Sequence, residues 1–224
     1  MQTSQTFTSK ISQRPLLNYW LYLPPEYDPQ STKRWPLILF LHGFGERGDS
    51  LTDLEWVKVH GIPKVIEHGK DLPFIVVSPQ CSRQSWWTLQ TGTLKALLDM
   101  MITDYPVHPA QVYLTGLSMG GYGSWSLGIA YPELFAAVVP VCGGGVSSQV
   151  GALKDVPVWA FHGAKDTVVL PHRTEDMINT LQKAGGDARL TIYPDADHDS
   201  WTATYDNPEL YDWFLSHEKS TATA

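Results

Sequence analysis

Ser118 lies in Thr115-Gly116-Leu117-Ser118-Met119-Gly120-Gly121-Tyr122-Gly123, with glycines two residues before it and two after. The β-prone run Gln111 to Thr115 leads in and a helix-compatible run from Tyr122 to about Tyr131 leads out, so the stretch reads as strand, sharp turn and helix. A serine at the tip of such a turn is held in a strained backbone conformation that lifts its Oγ above the sheet. Side chains at the flanking glycines would collide with the neighbouring strand and helix. The chemistry open to it is nucleophilic attack. A hydroxyl near its free pKa is a poor nucleophile, so it needs a base, an acid to orient that base, and backbone donors for the negative charge that develops on the substrate.

Those partners must come from elements that bring their ends to the same edge. Leu16 to Leu23, rich in aromatic and branched residues and stopped by Pro24-Pro25, reads as an early strand. Trp35 to Leu41 is an unbroken apolar run, the pattern of a strand buried on both faces of a parallel sheet, and it ends in the glycine-rich loop His42 to Asp49. A helix is expected within Leu54 to Gly69, a buried strand over Phe74 to Ser78, and a helix from about Thr93 to Asp104 with Leu94, Leu97, Leu98 and Met101 on one face. After the Ser118 helix come strands at Phe135 to Val141 and Val156 to Phe161, then a helix over about Arg173 to Ala184 stopped by Gly185-Gly186. A strand at Arg189 to Tyr193 and a helix from Pro208 to about Ser216 follow. Alternation of this kind predicts an α/β fold with a mainly parallel sheet flanked by helices.

Composition limits the partners. The chain has 224 residues, 43% of them hydrophobic and 17% charged, which suits one domain over residues 1–224 with a substantial core. A net charge of −7 with no Lys/Arg cluster argues against nucleic acid and anionic membranes as partners. The segment Met1 to Phe7 has neither a basic nor an apolar leader region, so a cytoplasmic protein is expected. The sequence does not fix an oligomeric state.

The Ser118 motif, its strand-turn-helix setting and the order of the other elements resemble the α/β-hydrolase superfamily, and within it small carboxylesterases, dienelactone-hydrolase-like proteins and prolyl-oligopeptidase-like proteins. The resemblance runs over nearly the whole chain and implies an α/β-hydrolase fold. In such proteins nucleophile, acid and histidine follow in that order on loops at the carboxyl ends of strands. Carried over residue by residue, they are Ser118, Asp166 in His162-Gly163-Ala164-Lys165-Asp166, and His198 in Pro194-Asp195-Ala196-Asp197-His198-Asp199-Ser200-Trp201. His42 and His162 precede glycines and read as structural, whereas His60, His68, His108, His172 and His217 fall in surface or helical settings. Asp195, Asp197 and Asp199 rival Asp166 by proximity, but residues that close in sequence rarely reach the imidazole correctly. The oxyanion-hole donors implied by the resemblance are the Phe44 and Met119 amides.

Family strand order also bears on the two cysteines, Cys81 and Cys142. Two strands should separate those that precede them, or about 14 Å, so both thiols are expected to be free. Only the 15 residues Cys142 to Val156 fill the interval in which relatives insert a lid, so no lid domain is expected. Trp86, Trp87, Trp201 and Tyr122, with Phe44, fall near loops at the reacting end and point to an open, partly aromatic substrate pocket. The resulting expectation is a serine carboxylesterase acting on short-chain or aryl esters of small molecules through an acyl-enzyme, with no metal and no cofactor. The rival functions are a peptidase or amidase of the oligopeptidase-like type and a binding module without catalysis.

Overall fold

The computed structural model describes residues 1–9 and 12–219. Among these residues eight strands form one sheet: β1 (Gln2–Thr8), β2 (Pro15–Tyr22), β3 (Trp35–Leu41), β4 (Ile75–Pro79), β5 (Val107–Leu117), β6 (Ala137–Val141), β7 (Val158–Gly163) and β8 (Ala188–Tyr193). Their spatial order is β1-β2-β4-β3-β5-β6-β7-β8. The β1–β2 and β2–β4 pairs are antiparallel and the rest are parallel. Among the described residues six α-helices accompany them: α1 (Gly61–Glu67), α2 (Thr91–Asp104), α3 (Met119–Ala130), α4 (His172–Lys183), α5 (Trp201–Asp206) and α6 (Pro208–Leu215).

Side-chain alternation along β3 explains the layers. Leu37, Leu39 and Leu41 enter a core completed by Leu94, Leu97, Leu98 and Met101 of α2, Trp125 and Leu127 of α3, and Met177 and Leu181 of α4. Ile38 and Phe40 face the opposite core with Ile62 and Val65 of α1, Tyr205 of α5, and Leu210 and Phe214 of α6. With helices on both faces, β3 has no solvated side, and all seven of its residues are buried.

Two elements depart from the expected pattern. β1 occupies residues that carry no apolar run, because an edge strand pairing only with β2 buries just Gln2 and Phe7 and leaves most of the others to water. The short helix α5, which begins at Trp201, lies in a stretch where no helix was expected. The interval between β6 and β7 holds a 3₁₀ helix (Ser147–Leu153) whose Val150 and Leu153 are buried in the α3/α4 core, so this segment is packed down onto the domain with no inserted lid. Cys81 and Cys142 are both buried and unbridged, and β3 and β5 stand between the strands that precede them. Among the described residues no helix is long and apolar enough to cross a membrane.

Candidate active site

The centre of the site is set by the turn between β5 and α3. Ser118 has φ 53° and ψ −113°, a left-handed backbone conformation that costs a non-glycine residue roughly 1–3 kcal/mol and persists only where surrounding structure enforces it. The enforcement is visible. Ser118 N–H donates to the Val141 carbonyl at 2.9 Å, and Tyr122 N–H donates to the Ser118 carbonyl at 3.0 Å, closing the first turn of α3. A Cβ at Gly116 would strike the Gly120 and Leu41 carbonyls, and one at Gly120 would collide with Leu41 and His42 backbone. Only glycine allows the end of β3, the end of β5 and the start of α3 to approach so closely.

His198 joins the other two residues. Its Nε2 lies 2.9 Å from Ser118 Oγ and its Nδ1 lies 2.7 Å from Asp166 Oδ2. A carboxylate only accepts, so Nδ1 carries a proton and Nε2 is left to accept from the serine hydroxyl. Asp166 is 2% exposed, and its Oδ1 accepts from the Val168 and Val169 amides at 2.8 and 2.9 Å. Backbone bonds tie the acid loop to the histidine loop: Ala164 N–H donates to the Tyr193 carbonyl and Lys165 N–H to the Ala196 carbonyl, both at 2.9 Å. The rival carboxylates are engaged elsewhere. Asp195 pairs with Lys165 at 2.9 Å, Asp197 accepts from Asp199 N–H, and Asp199 accepts from the Thr202 amide and hydroxyl at the start of α5.

Phe44 and Met119 each begin a helical turn, the 3₁₀ turn Phe44–Glu46 and α3 respectively, where amides lack an intrahelical acceptor. The crowding of Gly120 against Leu41 and His42 brings these two turns side by side. The Met119 side chain is buried in the core, leaving its backbone as the part that can serve the site.

The expected aromatic wall divides. The Trp201 ring stands edge-on to His198, with centroids 5.2 Å apart at 90°, and His60 packs 5.3 Å from Trp201. Phe44 and Trp86, 51% and 46% exposed, lie 5.3 Å apart with the Arg47 guanidinium 3.5 Å over the Phe44 ring. Tyr122 is half-buried, and burial raises its phenol pKa above the usual value, with the Arg173 charge opposing the shift and the Asp166 charge adding to it. Trp87 is not a wall residue. It is fully buried against Gly123 of α3 and donates from Nε1 to the His42 carbonyl at 2.9 Å, so it props the loop after β3 from beneath. Adjacent tryptophans diverge because Trp87 opens a 3₁₀ turn while Trp86 precedes it in extended conformation.

His162, read from sequence as structural, proves to touch the acid directly, with Nε2 3.1 Å from Asp166 Oδ2. Its position four residues before Asp166 at the end of a buried strand is the only local signal. Among the described residues, no group of three or more His, Cys, Asp or Glu is arranged to hold a metal ion. A recess of about 520 Å³ lined by Phe135, Ala136, Val156 and Pro157 lies at the amino ends of β6 and β7, the opposite edge from Ser118.

Comparison with known proteins agrees with this architecture. The model of the dienelactone hydrolase family matches residues 79–222, a span holding Ser118, Asp166 and His198. The chain is 26% identical over 203 residues to the bifunctional acetylxylan esterase/xylanase of Neocallimastix patriciarum, covering 86% of this chain and 27% of that one. It is 26% identical over 185 residues to a probable feruloyl esterase C of Aspergillus terreus, covering 81% and 66%. The crystal structure of a thermostable esterase superposes with a TM-score of 0.80 at 31% identity, over 97% of this chain and 63% of that one.

Proposed function

This chain belongs to the dienelactone hydrolase family, and on that footing we propose that it is a serine carboxylesterase cleaving small short-chain or aryl esters through an acyl-enzyme on Ser118. The observation that carries the proposal is the bridge made by His198, 2.9 Å from the Ser118 hydroxyl and 2.7 Å from the Asp166 carboxylate. Ser118 Oγ attacks the ester carbonyl carbon while its proton passes to His198 Nε2, and the amides of Phe44 and Met119 hold the oxyanion. Collapse of the tetrahedral intermediate breaks the bond to the alcohol oxygen, which takes the proton from Nε2. Water then attacks the acyl carbon and gives a proton to Nε2. The second collapse releases the acid and returns the proton to Ser118. Throughout, Asp166 stabilises the imidazolium without taking its proton.

The substrate range rests on two supports. Relatives named for acetylxylan and feruloyl esters span a short acyl group and an aryl one, and the exposed Phe44–Trp86 pair offers ring surface beside the proposed oxyanion hole. The chain spans about a quarter of the bifunctional relative and under two thirds of the thermostable esterase, so neither partner's full activity transfers to it.

The test is peptide mass spectrometry after treatment with a fluorophosphonate, with turnover of acetyl, long-chain and aryl esters measured in parallel. One adduct on Ser118, absent from a Ser118→Ala variant that has lost ester turnover, is the expected result. Ser118→Ala turning over at a near wild-type rate would refute the nucleophile.

A further inference from the structure

The ring of His162 is fully buried at the end of β7, and each of its nitrogens faces acceptors. Nδ1 lies 2.7 Å from Thr174 Oγ1. That hydroxyl lies 2.5 Å from the Gly143 carbonyl, which can only accept, so the single Thr174 proton is committed there and Nδ1 must be the donor. Nε2 lies 2.8 Å from the Val169 carbonyl and 3.1 Å from Asp166 Oδ2, and neither of these can donate. A neutral imidazole has one proton and would leave one nitrogen facing an acceptor lone pair, a costly arrangement in a buried site.

We infer that His162 is a positioning residue of the site: an imidazolium, protonated on both ring nitrogens, that fixes Asp166 and offsets part of the carboxylate charge acting on His198. Asp166 then accepts three hydrogen bonds, from two amides on Oδ1 and from His198 on Oδ2, and the His162 ring sets a positive charge 3.1 Å from that same Oδ2, so the carboxylate is held on both oxygens. Through Thr174 and Gly143 the same ring couples the acid to α4 and to the segment following β6.

The other ionisable groups around Asp166 leave the local charge to this trio. Tyr122 of α3 and Cys142 after β6 are kept in their neutral forms by burial, which raises both pKa values. Arg173 of α4 and Asp199 in the histidine loop are exposed and screened by solvent. With His162 cationic, His198 senses Asp166 as part of a nearly neutral pair.

The kinetic arm rests on the esterase reading, whereas the spectroscopic arm does not require turnover. In His162→Gln the positive charge is lost while a side-chain donor is kept. The acid limb of the kcat/KM profile should move to higher pH by about one unit with KM little changed. Thr174→Val, which removes the acceptor for Nδ1 at nearly constant volume, should move it in the same direction by less. An unmoved limb in an active, folded His162→Gln protein overturns the inference. Should that variant fail to fold, ¹⁵N NMR of the histidine-labelled wild-type protein at about pH 8, where exposed imidazoles are neutral, decides the matter. One ring with both nitrogens protonated is expected, and a spectrum of neutral rings only overturns the inference even if Ser118 is reactive.

Discussion

His42 and His198 stand just past the carboxyl ends of two parallel strands, β3 and β8, and each has both ring nitrogens hydrogen-bonded, but to partners of different kinds. His42 is 1% exposed, donates from Nδ1 to the Gly43 carbonyl at 2.6 Å, and accepts the Cys81 amide on Nε2 at 3.0 Å. Backbone groups cannot exchange protons with it. Burial pushes its pKa down from 6.5 to about 4, with the Gly43 carbonyl opposing the shift and nearby Arg47 adding to it. His198 keeps 20% of its side chain exposed and lies between a hydroxyl and a carboxylate, partners able to give a proton or to stabilise one. Position at a strand end therefore does not make an imidazole a base. The chemistry of its neighbours is what suits His198 to the proposed role, whereas the backbone partners of His42 make it a scaffold for the loop carrying Phe44.

The contrast can be broken most severely at His198, the proposed base. His198→Ala should lower kcat by about 10⁴–10⁶-fold, with the thermal unfolding midpoint nearly unchanged, since the hydrogen bonds it gives up lie within the site. Asp166→Asn, which disturbs tautomer and orientation but spares Ser118 and His198, should cost about 10³–10⁴-fold in kcat, read against the same ester.

At His42 the expected effect is on stability. Its folded pKa lies below its unfolded one, so between pH 6.5 and about 4 the unfolded chain binds more protons, and stability is lost as pH falls through that window. The loss attributable to His42 is about 3 kcal/mol. Denaturant titrations at several pH values should show this dependence in wild type and not in His42→Asn, so that the gap between them narrows as pH falls. A gap that stays constant would mean the imidazole is not held neutral.

Smaller effects test the surroundings. Trp86→Ala should raise KM for aryl esters roughly three- to tenfold and leave acetyl esters near wild type, because only a ring can use the Phe44–Trp86 surface. Equal effects on both substrates would remove Trp86 from the pocket. The Cys81 and Cys142 thiols are fully buried, and burial pushes Cys81 up to about 11 and Cys142 higher still. Neither should react with iodoacetamide in the folded protein, and both should label on unfolding.

Much of the scaffold could be read because burial on two faces leaves a strong imprint. The apolar run Trp35 to Leu41 became β3 with the expected bounds, and Leu94, Leu97, Leu98 and Met101 became the buried face of α2. β1 left no such imprint, since an edge strand needs few apolar residues, and α5 was too short to display a helical period. The aromatic residues exposed the limit most clearly. Trp86 and Trp87 are chemically identical neighbours, and only the 3₁₀ turn beginning at Trp87 sends one ring to solvent and the other beneath His42.

The sequence by itself determined the strand-turn-helix around Ser118, because a β-prone run, a serine set between glycines at 116 and 120 and a helix-compatible run follow one another in adjacent residues, although the backbone that a Cβ at 120 would strike belongs to Leu41 and His42. It also set the order in which a serine, a carboxylate and a histidine arrive at strand ends. Tertiary structure alone decided which imidazole meets the serine 80 residues away, that Asp166 serves two histidines, and that Trp87 supports the site without lining it. Those outcomes depend on how separate loops dock above a twisted sheet, and a contact of a few ångströms between distant residues has no counterpart in the spacing of the chain.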